Sequence, residues 1–340
     1  MELPPEALHR TFRKSGCLPD FHCRNEGSAQ DLLPQRIDYD ILEFGCRKTT
    51  YTNLPGHRHP LQYQPNNAPN PTKSMSKPLP VGQLETVGIQ GRNLEILRIA
   101  GDPALPELVF LHEGLGSVSH WRDFPAKVAA ATGCPVMIYS RYGSGNSDVL
   151  AEPRTVRYMH HEALDTLPAL LSALSIRNPI LVGHSDGASI AIVYAGAHDS
   201  LRGLALLAPH VFVEELSIRS IAKAKTTFES TNLPELLARH HRDAARTFWG
   251  WNDIWLHPEF RQWNIEEYLP RITCPALVIQ GLEDQYGTMA QVDAIRKQVA
   301  GAVDVLMLED CKHSPQRDQP EAVLEAIRKF VEKFDRLRVH

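Results

Sequence analysis

The stretch Ile180-Leu181-Val182-Gly183-His184-Ser185-Asp186-Gly187-Ala188-Ser189-Ile190-Ala191 carries the sharpest signal in the chain. A short apolar run stops at a glycine, passes through the pentapeptide G-x-S-x-G and re-emerges as a helical run, the pattern of a strand feeding a helix through a tight turn. A serine at the centre of such a turn sits in a strained backbone conformation with its hydroxyl raised above the sheet. Gly183 and Gly187 remove bulk where strand and helix approach each other. The start of the following helix directs free N–H groups toward the serine. The competing reading is a Gly-rich βα turn with a helix-capping serine, and the rest of the chain decides between the two.

Working outward, apolar runs rich in Val, Ile and Leu recur at Leu108 to Leu111, Val136 to Tyr139, Leu204 to Leu207, Ala276 to Ile279 and Val303 to Leu308. Such runs are strands buried on both faces, as parallel sheets require. Amphipathic helical stretches separate them: Trp121 to Thr132, Arg157 to Leu174, Ala188 to Ala197, Met289 to Val299 and Glu321 to Leu337. Upstream, Leu84 to Ile89 and Leu94 to Ile99 alternate on either side of Gln90-Gly91-Arg92-Asn93, which predicts an antiparallel hairpin at the sheet edge. Strand and helix alternate, so the fold class is α/β. One connection breaks the rhythm. Residues 210–271 are helical and Trp-rich, and are expected to form a helical cap over the carboxyl edge of a core built from residues 81–209 and 272–340. Residues 1–80 hold Pro pairs and the turn-rich Asn66 to Pro71 with no sustained apolar period, the composition of a disordered extension, and Met75 is a candidate start.

Composition excludes several function classes. A formal net charge of -4 leaves no basic field for nucleic acid or an anionic membrane. No stretch approaches the roughly 20 apolar residues that span a bilayer, and no apolar signal-peptide core follows Met1. The expected setting is cytoplasmic and the expected partner a small-molecule substrate, with no membrane insertion; oligomeric state is not legible. The cysteines lack CxxC spacing and disulfide-scaffold density. Cys134 and Cys274 each precede a Pro that opens an apolar run, as buried thiols do. The His160-His161 and His240-His241 pairs have no ligand cluster around them, so they read as surface histidines and no metal is expected.

Two later loops supply what a serine nucleophile needs. The run from Val278 leaves its strand through Gly281-Leu282-Glu283-Asp284, and the last strand ends in Cys311-Lys312-His313-Ser314-Pro315. A serine hydroxyl is a weak nucleophile until an imidazole takes its proton, and a carboxylate must orient that imidazole. Ser185, Asp284 and His313 are the candidate triad; Glu283 and Asp310 remain rivals for the acid. Acyl transfer also needs two N–H donors for the developing oxyanion. Asp186 supplies one, and the loop His112-Glu113-Gly114-Leu115-Gly116-Ser117 supplies the other from Gly114 or Leu115. This loop has neither the Walker Lys-Ser/Thr nor GxGxxG, so it is not read as a phosphate loop.

With elbow, acid, base and oxyanion loop in this order, residues 84–336 resemble the α/β-hydrolase superfamily, and within it the capped serine esterases and lactonases. Ser140-Arg141-Tyr142-Gly143-Ser144-Gly145-Asn146-Ser147-Asp148 looks like the superfamily's D-x-R-G-x-G-x-S loop, and His313 to Pro320 like its histidine loop. The resemblance implies an eight-stranded, mostly parallel sheet flanked by helices, a cap inserted after strand six and no cofactor. It also implies hydrolysis of a carboxylic ester or lactone of a small to medium apolar substrate through an acyl-enzyme on Ser185. The same constellation cleaves thioesters, or carbon–carbon bonds of ring-cleavage products. A non-catalytic ligand-binding module is the reading from another class, and it would normally show a broken triad. Glu113 stands where the superfamily often has Gly, Ser140 where it often has Asp, and Cys311-Lys312 where Gly commonly precedes the His. Candidate pocket residues are Glu113, His210, Trp249 and Trp251. The rival readings are a solvated or locally hydrogen-bonded Glu113 and tryptophans that form the cap's own core.

Overall fold

The computed structural model describes residues 81–336; the expectations for residues 1–80, Met75 included, lie outside them. In chain order the strands are β1 (Gln83–Ile89), β2 (Arg92–Ile99), β3 (Leu108–Leu111), β4 (Val136–Tyr139), β5 (Ile180–His184), β6 (Gly203–Leu207), β7 (Ala276–Gly281) and β8 (Val303–Leu308). The α-helices are α1 (Phe124–Thr132), α2 (Tyr158–His161), α3 (Leu167–Ala173), α4 (Asp186–Ala197), α5 (Glu215–Ser230), α6 (Leu233–Leu237), α7 (Ala244–Leu256), α8 (Met289–Gln298), α9 (Pro315–Asp318) and α10 (Pro320–Arg336). A π-helical turn, Glu162–Thr166, joins α2 to α3.

One sheet holds all eight strands in the order β1-β2-β4-β3-β5-β6-β7-β8. The β1–β2 and β2–β4 pairs are antiparallel and every other pair is parallel. The hairpin turn is tighter than the sequence predicted. Ile89 pairs with Arg92, and only Gln90 and Gly91 turn, both at positive φ (51° and 78°), as a two-residue type I′ connection requires.

Side chains alternate across each strand, which splits the core in two. Val109, Leu111, Met137, Tyr139, Leu181, Leu204, Leu206 and Val278 face α3, α4 and α8. Leu108, Phe110, Val136, Ile138, Ile180, Val182, Ala205 and Ile279 face α1 and α10. Helix α4 is apolar all round because it is buried along nearly its whole length, whereas α10 offers the sheet a single stripe of Val323, Ile327, Phe330, Val331 and Phe334.

Strand β4 lies on one side of β3 and β5 on the other, so the order of connection reverses between β3 and β5. Open α/β sheets carry their ligand sites in the crevice outside the carboxyl ends of strands at such a reversal. Leu111 is in register with Gly183 there, and the loops that follow the two strands face each other.

A helical insertion (α5, α6, α7 and two 3-10 segments, Pro258–Gln262 and Glu266–Arg271) occupies the chain between β6 and β7, within the span expected to be a cap. It is fastened to the loops after β3 and β4. The Gly145 N–H donates to His241 Nδ1 at 2.9 Å, His241 Nε2–H donates to the Leu115 carbonyl at 3.0 Å, and Thr247 Oγ1–H donates to the Gly143 carbonyl at 2.8 Å. Phe228 and Phe248 stack at 3.9 Å as the insertion's own core.

Candidate active site

Ser185 ends β5 and starts α4 with φ 52° and ψ -119°, a conformation that L residues adopt only where surrounding structure enforces it. Two contacts enforce the turn. A Cβ on Gly187 would lie 2.0 Å from the Leu111 carbonyl oxygen, and one on Gly183 would lie 2.5 Å from that of Gly187. The Ser185 N–H is tied to the Leu207 carbonyl at 2.9 Å.

His313 Nδ1 lies 2.9 and 2.8 Å from the two carboxylate oxygens of Asp284, and its Nε2 lies 2.9 Å from Ser185 Oγ. The carboxylate accepts only, so Nδ1 carries the hydrogen and Nε2 is free to accept the serine proton. Asp284 also accepts the Tyr286 N–H at 2.7 Å, the Gly287 N–H at 3.2 Å and Gln280 Nε2–H at 2.7 Å. Burial works to raise the Asp284 carboxyl, but the charge and hydrogen bond of His313 and the Tyr286 N–H outweigh it and hold the group below the usual carboxylate range. The rivals Glu283 and Asp310 are exposed.

The second half of the site is the loop after β3. The Glu113 carbonyl accepts three donors: His112 Nδ1–H at 2.7 Å, an Arg141 guanidinium N–H at 2.8 Å and the Gly116 N–H at 3.0 Å. Across a trans, planar peptide the Gly114 N–H points the opposite way, out of this cluster. Among the described residues it has no protein acceptor, and neither has the N–H of Asp186, the first helical residue of α4. The indole of Trp251 covers Gly114 so closely that a Cβ there would lie 2.2 Å from the ring. His112 is neutral, its pKa driven well down by burial and by Arg141. That fits its Nε2 accepting the Arg141 N–H at 3.0 Å while Nδ1 donates.

The remaining candidates divide. His210 packs 5.4 Å from the His313 ring and 5.5 Å from Trp255; burial pushes its pKa down to about 3, so it is an uncharged wall. The Leu115 carbonyl is occupied by His241. Trp249 packs edge-on against Phe228 and Phe248 and lines an outer cleft with Leu150 and Arg154, so its placement is not beside Ser185. The Glu113 carboxylate is largely buried and paired locally, 3.6 Å from His184 Nδ1 and 3.9 Å from Arg317, as the locally hydrogen-bonded reading has it. Burial opposes its ionisation, but His184, His120 and Arg317 hold its pKa well below the ordinary value. Of three further neighbours, Tyr158 and Arg141 are not singled out by the sequence, and Trp255 reads there only as one of the cap's aromatic residues. Tyr158 O–H donates to Asp186 at 2.5 Å, Trp255 Nε1–H donates to the Tyr158 hydroxyl at 3.1 Å, and buried Arg141 bridges the two loops. Only Arg141 lay inside a recognisable motif, and its role depends on contacts remote in sequence. Among the described residues no group of three or more His, Cys, Asp and Glu is arranged to hold a metal ion, and no helix is long and apolar enough to cross a membrane.

An oriented hydroxyl–imidazole–carboxylate chain beside two free N–H groups is equipped for acyl transfer. The chain belongs to the alpha/beta hydrolase family, whose model matches residues 108–326, and is a hydrolase. It is similar to a proline iminopeptidase of Saccharolobus solfataricus, with 26% identity over 66% of this chain and 84% of that protein. Among solved structures it resembles the enol-lactonase of Burkholderia xenovorans (TM-score 0.58, 19% identity, 73% of this chain and all of that one, 100%). A haloalkane dehalogenase of Bradyrhizobium elkani is similar in fold (TM-score 0.61, 19% identity, 75% of this chain and 99% of that one).

Proposed function

We propose that the protein is a serine hydrolase cleaving a carboxylic ester or lactone with a small to medium uncharged acyl group. The observation that carries this reading is the unbroken contact chain from Asp284 through His313 to Ser185 Oγ. Ser185 attacks the carbonyl as His313 takes its proton, and Asp284 holds the imidazolium. The Asp186 and Gly114 N–H groups receive the oxyanion, and His313 returns the proton to the leaving alcohol. Water, activated by the same imidazole, then releases the acid from Ser185. The helical insertion serves as a cap, with Trp251 and neutral His210 as pocket walls; both favour an uncharged acyl group. A cytoplasmic setting accompanies this reading.

The named iminopeptidase relatives favour a second reading, cleavage of an N-terminal proline amide. Turnover of p-nitrophenyl acetate, p-nitrophenyl butyrate, a small lactone and proline p-nitroanilide separates the two. Ester or lactone turnover abolished by Ser185→Ala is expected. Turnover of the anilide alone would replace the ester reading, and a wild-type protein inert to a fluorophosphonate would remove the serine-hydrolase reading altogether.

A further inference from the structure

Arg141 is 1% exposed, although the charge of a guanidinium is costly to bury without close partners. One of its terminal nitrogens donates to the Glu113 carbonyl at 2.8 Å and to the His112 carbonyl at 3.2 Å. The other lies 3.8 Å from Asp186 Oδ2, and neither it nor Nε makes a hydrogen bond. Its backbone N–H meets His112 Nε2. Every one of these partners belongs to the two segments that carry the oxyanion donors: the loop after β3, and the first residue of α4. A charge-assisted donor is roughly twice as strong as a neutral one, and here it grips the peptide whose opposite end is the Gly114 N–H. Through Asp186, itself braced by Tyr158, the same side chain anchors the residue that supplies the second N–H.

The geometry points to Arg141 as the positioning residue of both halves of the oxyanion hole, setting the angle between the Gly114 and Asp186 N–H groups without touching substrate. The inference rests on the serine-hydrolase reading. Position 141 falls at the unspecified x of the D-x-R-G-like loop, with Tyr142 in the place of that motif's arginine, so the resemblance does not account for it. An apolar side chain could fill the buried space that Arg141 occupies. What an apolar residue cannot do is hold two carbonyls and a carboxylate at once.

The full chain is tested as Arg141→Met, Arg141→Lys and the double variant Arg141→Met with Asp186→Asn. The readouts are kcat and KM on p-nitrophenyl acetate, the second-order rate of fluorophosphonate labelling, and the thermal midpoint. Loss of one oxyanion donor slows catalysis roughly 10²- to 10³-fold. Arg141→Met is therefore expected to lower kcat and the labelling rate by about 10²-fold with KM changed less than about threefold. Arg141→Lys, a point charge on one nitrogen that cannot meet the two carbonyls and face Asp186 at once, recovers part of the rate. The double variant, with no unpaired carboxylate, regains the thermal midpoint but not the rate. A double variant that labels and turns over at the wild-type rate would overturn the inference, as would a rise in KM with kcat unchanged. Labelling of wild type and Ser185→Ala to the same extent would instead remove the serine-hydrolase reading itself.

Discussion

His184 Nε2–H donates to the backbone carbonyl of His313 at 2.8 Å, while His184 Nδ1 lies 3.1 Å from the Gln316 side-chain amide. The residue before the candidate nucleophile thus holds the main chain of the candidate base. His184→Ala frees that backbone while leaving the Asp284–His313 contact chemically possible. A misplacement on the order of 1 Å costs about 10²-fold in rate. The expected outcome is a kcat on p-nitrophenyl acetate lower by about ten- to a hundredfold, with KM little changed. Wild-type kcat in the folded variant would show that α9 and the loop before it hold His313 unaided.

Asp284 and Glu283 are adjacent, yet only Asp284 meets His313. Asp284→Asn leaves the ring its partner but reverses the hydrogen-bond sense, favouring the wrong tautomer, and a loss of about 10⁴-fold in kcat is expected. Glu283→Gln, at an exposed position, should stay within about twofold of wild type. Comparable losses in the two variants would move the acid away from Asp284.

The contrast between Asp284 and Glu283 also marks how far the sequence is legible. Strand and helix alternate with periods that the chain displays openly, so β3 to β8, their helices and the elbow at Ser185 can be read from residue types alone. The glycines at 183 and 187 announce a close approach before the Leu111 carbonyl is known to be the neighbour. Which of two adjacent carboxylates turns inward is set by the Asx-like bonds from the Tyr286 and Gly287 N–H groups to Asp284, a local geometry that periodicity does not encode. The Arg141 contacts, the turn of Glu113 toward His184, and the separation of Trp249 from Trp251 are less legible still. Each depends on how loops remote in sequence meet at the sheet's carboxyl edge.

Gly187→Ala tests the packing beneath the elbow. The added methyl would stand 2.0 Å from the Leu111 carbonyl oxygen, a backbone atom that a rotamer change cannot move. Overpacking of this kind costs about 1–3 kcal/mol, occasionally more, and the fixed obstacle places this site at the upper end. At about 2–4 °C per kcal/mol for a domain of this size, a thermal midpoint lower by roughly 6–12 °C is expected by calorimetry, together with reduced fluorophosphonate labelling. An unchanged midpoint would mean that α4 can slide along β3, against the close approach seen here.

Buried histidines set the acid limit of stability. Burial pushes the pKa of His120 and His210 down to about 3, and that of His241 down to about 4, whereas an imidazole in the unfolded chain titrates near ~6.5. Between the two values the unfolded chain binds the extra protons, so stability is full above about pH 6.5 and falls as the pH drops, by about 1.4 kcal/mol per pH unit for each group. The carboxylates of Asp284 and Glu113, held below their ordinary range, lose their contribution only at lower pH. Urea denaturation between about pH 6 and 5 therefore isolates the histidines. His241→Gln, which can still accept from the Gly145 N–H and donate to the Leu115 carbonyl, is expected to flatten the slope by about 1 kcal/mol per pH unit. A slope equal to that of wild type would show that His241 already takes up its proton in the folded protein, and that the contact between the helical insertion and the loop after β3 survives its charging.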